Sequence, residues 1–237
     1  MTKGKFLLTS SGITNASIQK ALVDLLGKPI SESSALFAPT AIYAYPQAMK
    51  AAWGGAKGMG ELGWKDFGLL ELTALPGLAR EVWLPQIEQA DAIIIGGGNK
   101  FYLSYWMEKS GLFEILPQLI ERGTVYVGAS AGSMMVTQGL NFDQVRLQQT
   151  GIYHDDEFNE EMPSSSGNAK TLGLVDFVIR PHFQAEYFPQ TTLENVEKWA
   201  AKVDSPLCAL DDQTALKVTN GSIEVISEGA WKLFGKQ

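Results

Sequence analysis

Thr124-Val-Tyr-Val-Gly-Ala-Ser-Ala-Gly-Ser-Met-Met135 is the stretch on which the reading of this chain turns. A short β-branched run ends in Gly128-Ala129-Ser130-Ala131-Gly132, and a helix-like segment follows to about Gln138. G-x-S-x-G is the pattern of a nucleophile elbow, a sharp strand-to-helix turn that exposes its serine at the top of a sheet. Glycine at 128 and 132 removes the Cβ atoms that would clash where strand and helix cross. Ser130 is then left at the mouth of the sheet, with the Ala131 amide pointing into the same space. A Gly-Ala-Ser-Gly linker reads similarly, so the surrounding sequence has to decide.

Working outward, strand and helix signals alternate through the first half. Lys5-Phe-Leu-Leu-Thr9 reads as a buried strand, and a helix carrying Ile18, Ala21, Leu22 and Leu25 ends at Gly27. Ala35–Ala38 is a second strand, stopped by Pro39, and the helical segment from about Tyr43 to Ala56 is closed by Gly54-Gly55. Gly68–Leu72 reads as a third strand. Ala90-Asp-Ala-Ile-Ile-Ile95 lacks polar alternation, as expected of a strand covered on both faces, and it ends in Gly96-Gly97-Gly98-Asn99 before a helix that begins near Lys100. An amphipathic helix, Leu112 to Glu121, delivers the chain to the elbow strand. This order predicts a doubly wound, mostly parallel α/β sheet.

Asn141 to Lys170 is polar and acidic, a long excursion of loops with room for a short hairpin. Leu174–Ile179 then reads as a strand, Thr191–Lys202 as a helix and Leu207–Leu210 as a buried strand. Asn220-Gly221 between Ala215–Val218 and Ile223–Ile226 is a strong hairpin signal.

Bulk composition bounds the function. With 237 residues, 45% of them hydrophobic, the chain can build a full core, and a single domain over 1–237 is the expectation. A net charge of −7 without a basic block disfavours non-specific binding to nucleic acid or to anionic membrane. No apolar window approaches the roughly 20 residues that span a bilayer, and the run after Met1-Thr-Lys-Gly-Lys is too short for a signal peptide. One cysteine, Cys208, rules out an intrachain disulfide and suits a reducing cytoplasm.

The Gly96–Asn99 loop and the elbow both follow predicted parallel strands, the edge at which ligands bind in open α/β sheets. Three consecutive glycines before a helix leave amides unshielded for a carboxylate, phosphate or oxyanion. A nucleophilic serine needs a base, and the chain offers only His154 and His182. His182 follows a buried strand, which places it at the functional edge. His154 lies in the acidic loop up to Glu161, read as solvated rather than as a cation site. Asp211 and Asp212 end another buried strand, and either could orient the imidazole. The order Ser130, His182, Asp212 departs from the serine–acid–histidine order of α/β-hydrolases.

Gly96-Gly-Gly-Asn99, Gly128-Ala-Ser-Ala-Gly132, Pro181-His-Phe183 and Leu210-Asp-Asp212 together resemble the peptidase E (aspartyl dipeptidase) family, in the family's order and over nearly the whole chain. That family includes the cyanophycinases and is related in fold to class I glutamine amidotransferases. The resemblance implies a serine peptidase acting on short peptides or small amides, with no metal or organic cofactor. It implies Ser130 as nucleophile, His182 as base, and the Gly98 and Ala131 amides as oxyanion hole, with Asn99 beside them. The family's acid is a glutamate, which aligns best with Asp212, one methylene shorter. The family is expected to present an arginine to an N-terminal aspartate from the segment after Pro-His-Phe. None of this chain's arginines (Arg80, Arg122, Arg146, Arg180) lies between His182 and Asp212, which leaves Arg180 as the candidate clamp. Two rivals stand beside this reading: a cyanophycinase-like β-aspartyl-arginine hydrolase using the Asp155–Glu161 acids, and a non-catalytic binding protein. Monomer and homodimer are both compatible with the sequence.

Overall fold

A computed structural model describes residues 3–45, 48–140, 152–155, 160–163 and 169–235. Five parallel strands form its centre: β1 (Lys5–Thr9), β2 (Ser34–Ala38), β3 (Asp66–Leu69), β4 (Ala92–Ile95) and β5 (Val125–Ala129). The hairpin β10 (Thr214–Thr219) and β11 (Ser222–Ser227) adds two antiparallel strands beside β1, giving the order β11-β10-β1-β5-β4-β2-β3. A separate three-stranded sheet joins β8 (Val178–Arg180), β9 (Leu207–Leu210) and β12 (Trp231–Phe234) in the order β12-β9-β8. Within the long excursion, β6 (Ile152–Asp155) pairs antiparallel with β7 (Glu160–Pro163). The rest of the excursion, 141–151, 156–159 and 164–168, lies outside the described residues.

Alternation of side chains along the strands divides the core into two layers. Phe6, Leu8, Ile93, Ile95 and Tyr126 face α3 (Arg80–Glu88), α4 (Lys100–Lys109) and α5 (Leu112–Glu121). Leu7, Ile94, Val125 and Val127 face α1 (Ala16–Leu26), through Ile18, Leu22 and Leu25, and pack against Ala56 and Met59 of α2 (Ala48–Gly60). Helices on both faces make the sheet doubly wound, as the alternation predicts. The Asn220-Gly221 turn has φ of 49° and 87°, the double positive φ of a tight hairpin. Val196 of α6 (Leu193–Ala200) packs with Val178 and Leu207 to cover the small sheet.

Several elements differ from the sequence reading. Gly54-Gly55 lie inside α2, which runs to Gly60, while the segment before it is a 3-10 turn at Thr40–Ala44. Packing of Ala52, Ala56 and Met59 outweighs the cost of two helical glycines, about 1 kcal/mol each. The third strand is Asp66–Leu69 rather than Gly68–Leu72, because the chain leaves the sheet edge at Leu70 to bury Leu72 and Leu75. The strand expected over Leu174–Ile179 begins only at Val178, because Leu172 and Leu174 donate instead to the Met135 and Val136 carbonyls, at 2.8 and 2.7 Å. β12 has no strong apolar alternation and was not expected.

The elbow is the tightest crossing in the fold. Residue Ser130 has φ 49° and ψ −114°, a sparsely populated conformation for a residue with a side chain. A Cβ on Gly132 would lie 2.0 Å from the Ile95 carbonyl oxygen, and one on Gly128 would lie 2.6 Å from the Ser133 backbone. Gly132→Ala should therefore destabilise the chain by about 1–3 kcal/mol or more. Gly54 opens onto empty space, so Gly54→Ala should stabilise α2 by about 0.5–1 kcal/mol. Urea unfolding of both variants beside wild type checks the pair, and a Gly132→Ala chain of unchanged stability would mean the crossing can open.

Candidate active site

Three segments distant in sequence meet above the carboxyl ends of β1 and β5. The Ser130 Oγ lies 2.9 Å from His182 Nε2, and His182 Nδ1 lies 2.7 Å from Asp212 Oδ1. Ser130 and His182 are both 7% exposed, so the pair is shielded yet reachable from the cleft. A carboxylate can only accept, so Nδ1 carries the proton toward Asp212 and Nε2 presents its lone pair to the Ser130 hydroxyl.

Each member is held by its own local structure. The end of β1 clamps the elbow: the Thr9 carbonyl accepts from the Ser130 amide at 3.1 Å and from the Ser133 hydroxyl at 2.7 Å. The Thr9 hydroxyl donates to the Gly128 carbonyl at 2.8 Å. Behind the elbow, the buried Tyr126 hydroxyl donates to the Gly132 carbonyl at 2.6 Å. His182, at φ 58°, is the second strained residue of the site. Its amide donates to Ser10 Oγ at 2.8 Å, its carbonyl accepts from the Thr191 hydroxyl, and its ring stacks on Phe188 at 4.6 Å.

Asp212 is held by more than the imidazole. Ser10 Oγ donates to Oδ1 at 3.1 Å, and the Tyr187 hydroxyl donates to Oδ2 while lying 3.1 Å from His182 Nδ1. Burial of the carboxyl opposes its ionisation, but the bonds from His182, Tyr187 and Ser10 and the imidazole charge outweigh that and hold it below the ordinary aspartate value. The Tyr187 phenol is pushed well above its usual range, first by partial desolvation and then by the Asp212 bond and charge. Ser10, Tyr187 and Phe188 were not singled out in the sequence. The Ser10-Ser11-Gly12 loop after a parallel strand was the one available signal.

Asp211 has a different part. Its carboxylate accepts from the Gln213 amide at 3.0 Å, the Thr214 hydroxyl at 2.6 Å and the Ala230 amide at 2.5 Å, closing the turn from β9 into β10. Cys208 is a buried thiol whose pKa is pushed up to about 11 by burial, as suits a core residue.

The glycine loop passes against the elbow, with Gly97 so near that a Cβ there would lie 3.0 Å from Ser130 Cβ. The loop is pinned at both ends, by the Gly96 amide to the Ala38 carbonyl and the Asn99 amide to the Ala41 carbonyl, each at 2.9 Å. Among the described residues, no backbone carbonyl accepts from the amides of Gly97, Gly98 or Ala131.

The two residues expected as substrate contacts have other partners in the structure. Asn99 is fully buried, and its carbonyl oxygen caps α4 by accepting from the Phe101 and Tyr102 amides at 3.0 and 2.9 Å. Helix capping satisfies amides that would otherwise lack partners, and Asn99 is not among the residues lining the cleft. Arg180 is 2% exposed, with its guanidinium 3.9 Å from the Trp199 ring centre, and it is not among the residues lining the cleft. Stacking on an aromatic face desolvates that charge on the side of the small sheet. Tyr105 and Trp106 pack edge-to-face on α4, away from the cleft. Of the acids invoked for an arginyl substrate, Asp156 and Glu157 fall outside the described residues.

The sequence profile of peptidase family S51 matches residues 6–226. The chain belongs to peptidase family S51. Among S51 relatives, it is 30% identical over 156 residues to peptidase E of Streptomyces coelicolor, covering 64% of this chain and 58% of that protein. It is 27% identical over 154 residues to a probable alpha-aspartyl dipeptidase of Drosophila melanogaster, covering 62% and 58%. The chain thus spans just under three-fifths of the length of these curated relatives. A crystal structure of a putative peptidase E from Listeria monocytogenes shares the fold with a TM-score of 0.66 at 20% identity, over 97% of this chain and 100% of that one. Among the described residues, no helix is long and apolar enough to cross a membrane.

The carboxyl offers a test of this geometry through stability. A carboxyl whose folded pKa lies below its reference value of 3.8 contributes stability that is complete above that value and is lost as pH falls through the folded pKa. Asp212→Asn should flatten the stability profile below about pH 4. Denaturant unfolding between pH 2.5 and 7 reads the difference, and identical acid limbs in the two proteins would contradict it.

Proposed function

We propose that residues 1–237 form one serine peptidase unit acting on short peptides, with dipeptidase-like activity in a cytoplasmic setting. The observation that carries this reading is the continuous chain Ser130 Oγ, His182 Nε2, His182 Nδ1, Asp212 Oδ1, at 2.9 and 2.7 Å. A binding protein has no need of such an alignment on two strained residues.

In this reading His182 Nε2 takes the Ser130 proton as Oγ attacks the scissile carbonyl. Asp212 holds the ring in the required tautomer and stabilises the imidazolium that forms. The carbonyl oxygen becomes an oxyanion that accepts from the Gly98 and Ala131 amides, fixed dipoles that need no rearrangement at the moment of reaction. The imidazolium then protonates the departing amine, and water activated by the same imidazole resolves the acyl-enzyme.

The aspartate in place of the family's glutamate is no obstacle. Asp212 reaches Nδ1 at 2.7 Å, and Ser10 and Tyr187 each donate to one of its two oxygens.

Ser130→Ala should lower kcat on a hydrolysed dipeptide by roughly 10⁵–10⁶, and Asp212→Asn by about 10⁴ through the wrong imidazole tautomer. Asp211→Asn should act mainly on stability. A fluorophosphonate should label wild type and not Ser130→Ala. Absence of labelling in the folded wild type would sink the serine-peptidase reading.

A further inference from the structure

Resting on that reading, we infer that the residue on the acyl side of the scissile bond carries an apolar side chain (leucine, methionine or phenylalanine in character) and not a carboxylate. The strand order sets the direction. Along the sheet, His182, Asp212 and Ser10 stand at the β1 side of Ser130, while the cleft continues the other way, over the ends of β4 and β2. The leaving amine must lie beside His182 Nε2 to receive its proton. The acyl half of the substrate therefore runs past the Gly96–Gly98 loop, and its side chain falls into the far part of the cleft.

That part is apolar. The cleft has a cavity volume of about 300 Å³, and its walls beyond the glycine loop are Phe37, Pro39, Ile42 and Ala52, while Met59 reaches across to Gly12 in the loop after β1. α2 roofs it at Gly55, where a Cβ would come within 3.3 Å of the Phe37 ring, so the missing side chain is part of the space. Among the described residues, none that lines the cleft is charged. Of the three arginines among the described residues, Arg180 stacks on Trp199, while Arg80 and Arg122 pair with Glu114 and Glu88 at 3.9 and 3.8 Å. A carboxylate entering this trough would give up its hydration to hydrocarbon walls, whereas an aliphatic or aromatic side chain gains by the same transfer.

The test is a panel of dipeptides with a common second residue, Leu-Ala, Met-Ala, Phe-Ala, Asp-Ala and Lys-Ala, hydrolysed by the full chain. The apolar members should exceed Asp-Ala in kcat/KM by roughly tenfold or more. Asp-Ala equal to or better than Leu-Ala would overturn the inference while leaving the peptidase reading intact. Gly55→Leu fills the space under α2 and should lower the ratio of Leu-Ala to Ala-Ala turnover by roughly tenfold, chiefly through KM. Gly55→Ala is a milder form of the same change, and an unchanged ratio in a folded Gly55→Leu protein would also overturn the inference. If no dipeptide is cleaved, calorimetry on Ser130→Ala separates the two claims. Tighter binding of Leu-Ala than of Asp-Ala supports the apolar trough on its own, and equal binding overturns it.

Discussion

Ser130 sits at φ 49° because a parallel strand and the helix that follows it are forced to cross within one residue. The rest of the site depends on that turn. Its sharpness lets the serine stand clear of the sheet, and it is possible only because the backbones at Gly128 and Gly132 approach to distances that exclude a methyl group. Strain at such a position persists only where the surroundings over-determine it. Here the Thr9 carbonyl, the Thr9 hydroxyl and the Tyr126 hydroxyl hold the turn from both sides.

The same strand end organises the partners. Chain continuing from Thr9 supplies Ser10, whose hydroxyl accepts from the His182 amide and donates to Asp212. One residue at the end of β1 thus ties the histidine and the acid, which follow β8 and β9 of the small sheet, to the large sheet. The imidazole is then confined by Phe188 on its face and by Asp212 and Tyr187 at Nδ1, so Nε2 has one direction left, toward Ser130. Polar groups concentrate on the β1 side of the nucleophile and apolar walls on the β2 side. This division separates the proton-transfer half of the cleft from the half that receives a side chain.

Much of the fold was legible because it follows from local rules. β1, β9 and α5 are uninterrupted apolar or amphipathic runs bounded by glycine, proline or acids, and their observed limits match the sequence reading. The Asn-Gly turn specifies its own hairpin. Gly54-Gly55 misled because a local propensity of about 1 kcal/mol is small beside the burial of a helix face. The Leu174–Val175 segment misled for a related reason: apolar content fits a strand equally well as a loop docked on Met135 and Val136. The partners of Asn99 and Arg180, an α4 cap and the Trp199 ring, could not be read from their positions in the chain, because sequence spacing does not contain side-chain direction.

By itself the sequence determined the alternating order of elements, the elbow with its two glycines, and the candidates Ser130, His182 and Asp212, because each rests on residue type and short-range spacing. Only the tertiary structure put Asp212 rather than Asp211 against the His182 ring, brought in Ser10, Tyr187 and Phe188, and turned the carboxyl ends of β4 and β2 into an apolar trough. Those outcomes depend on which side chains meet across 30 to 202 residues of chain, and a hydrogen bond between such partners exists only once packing has fixed where each one points.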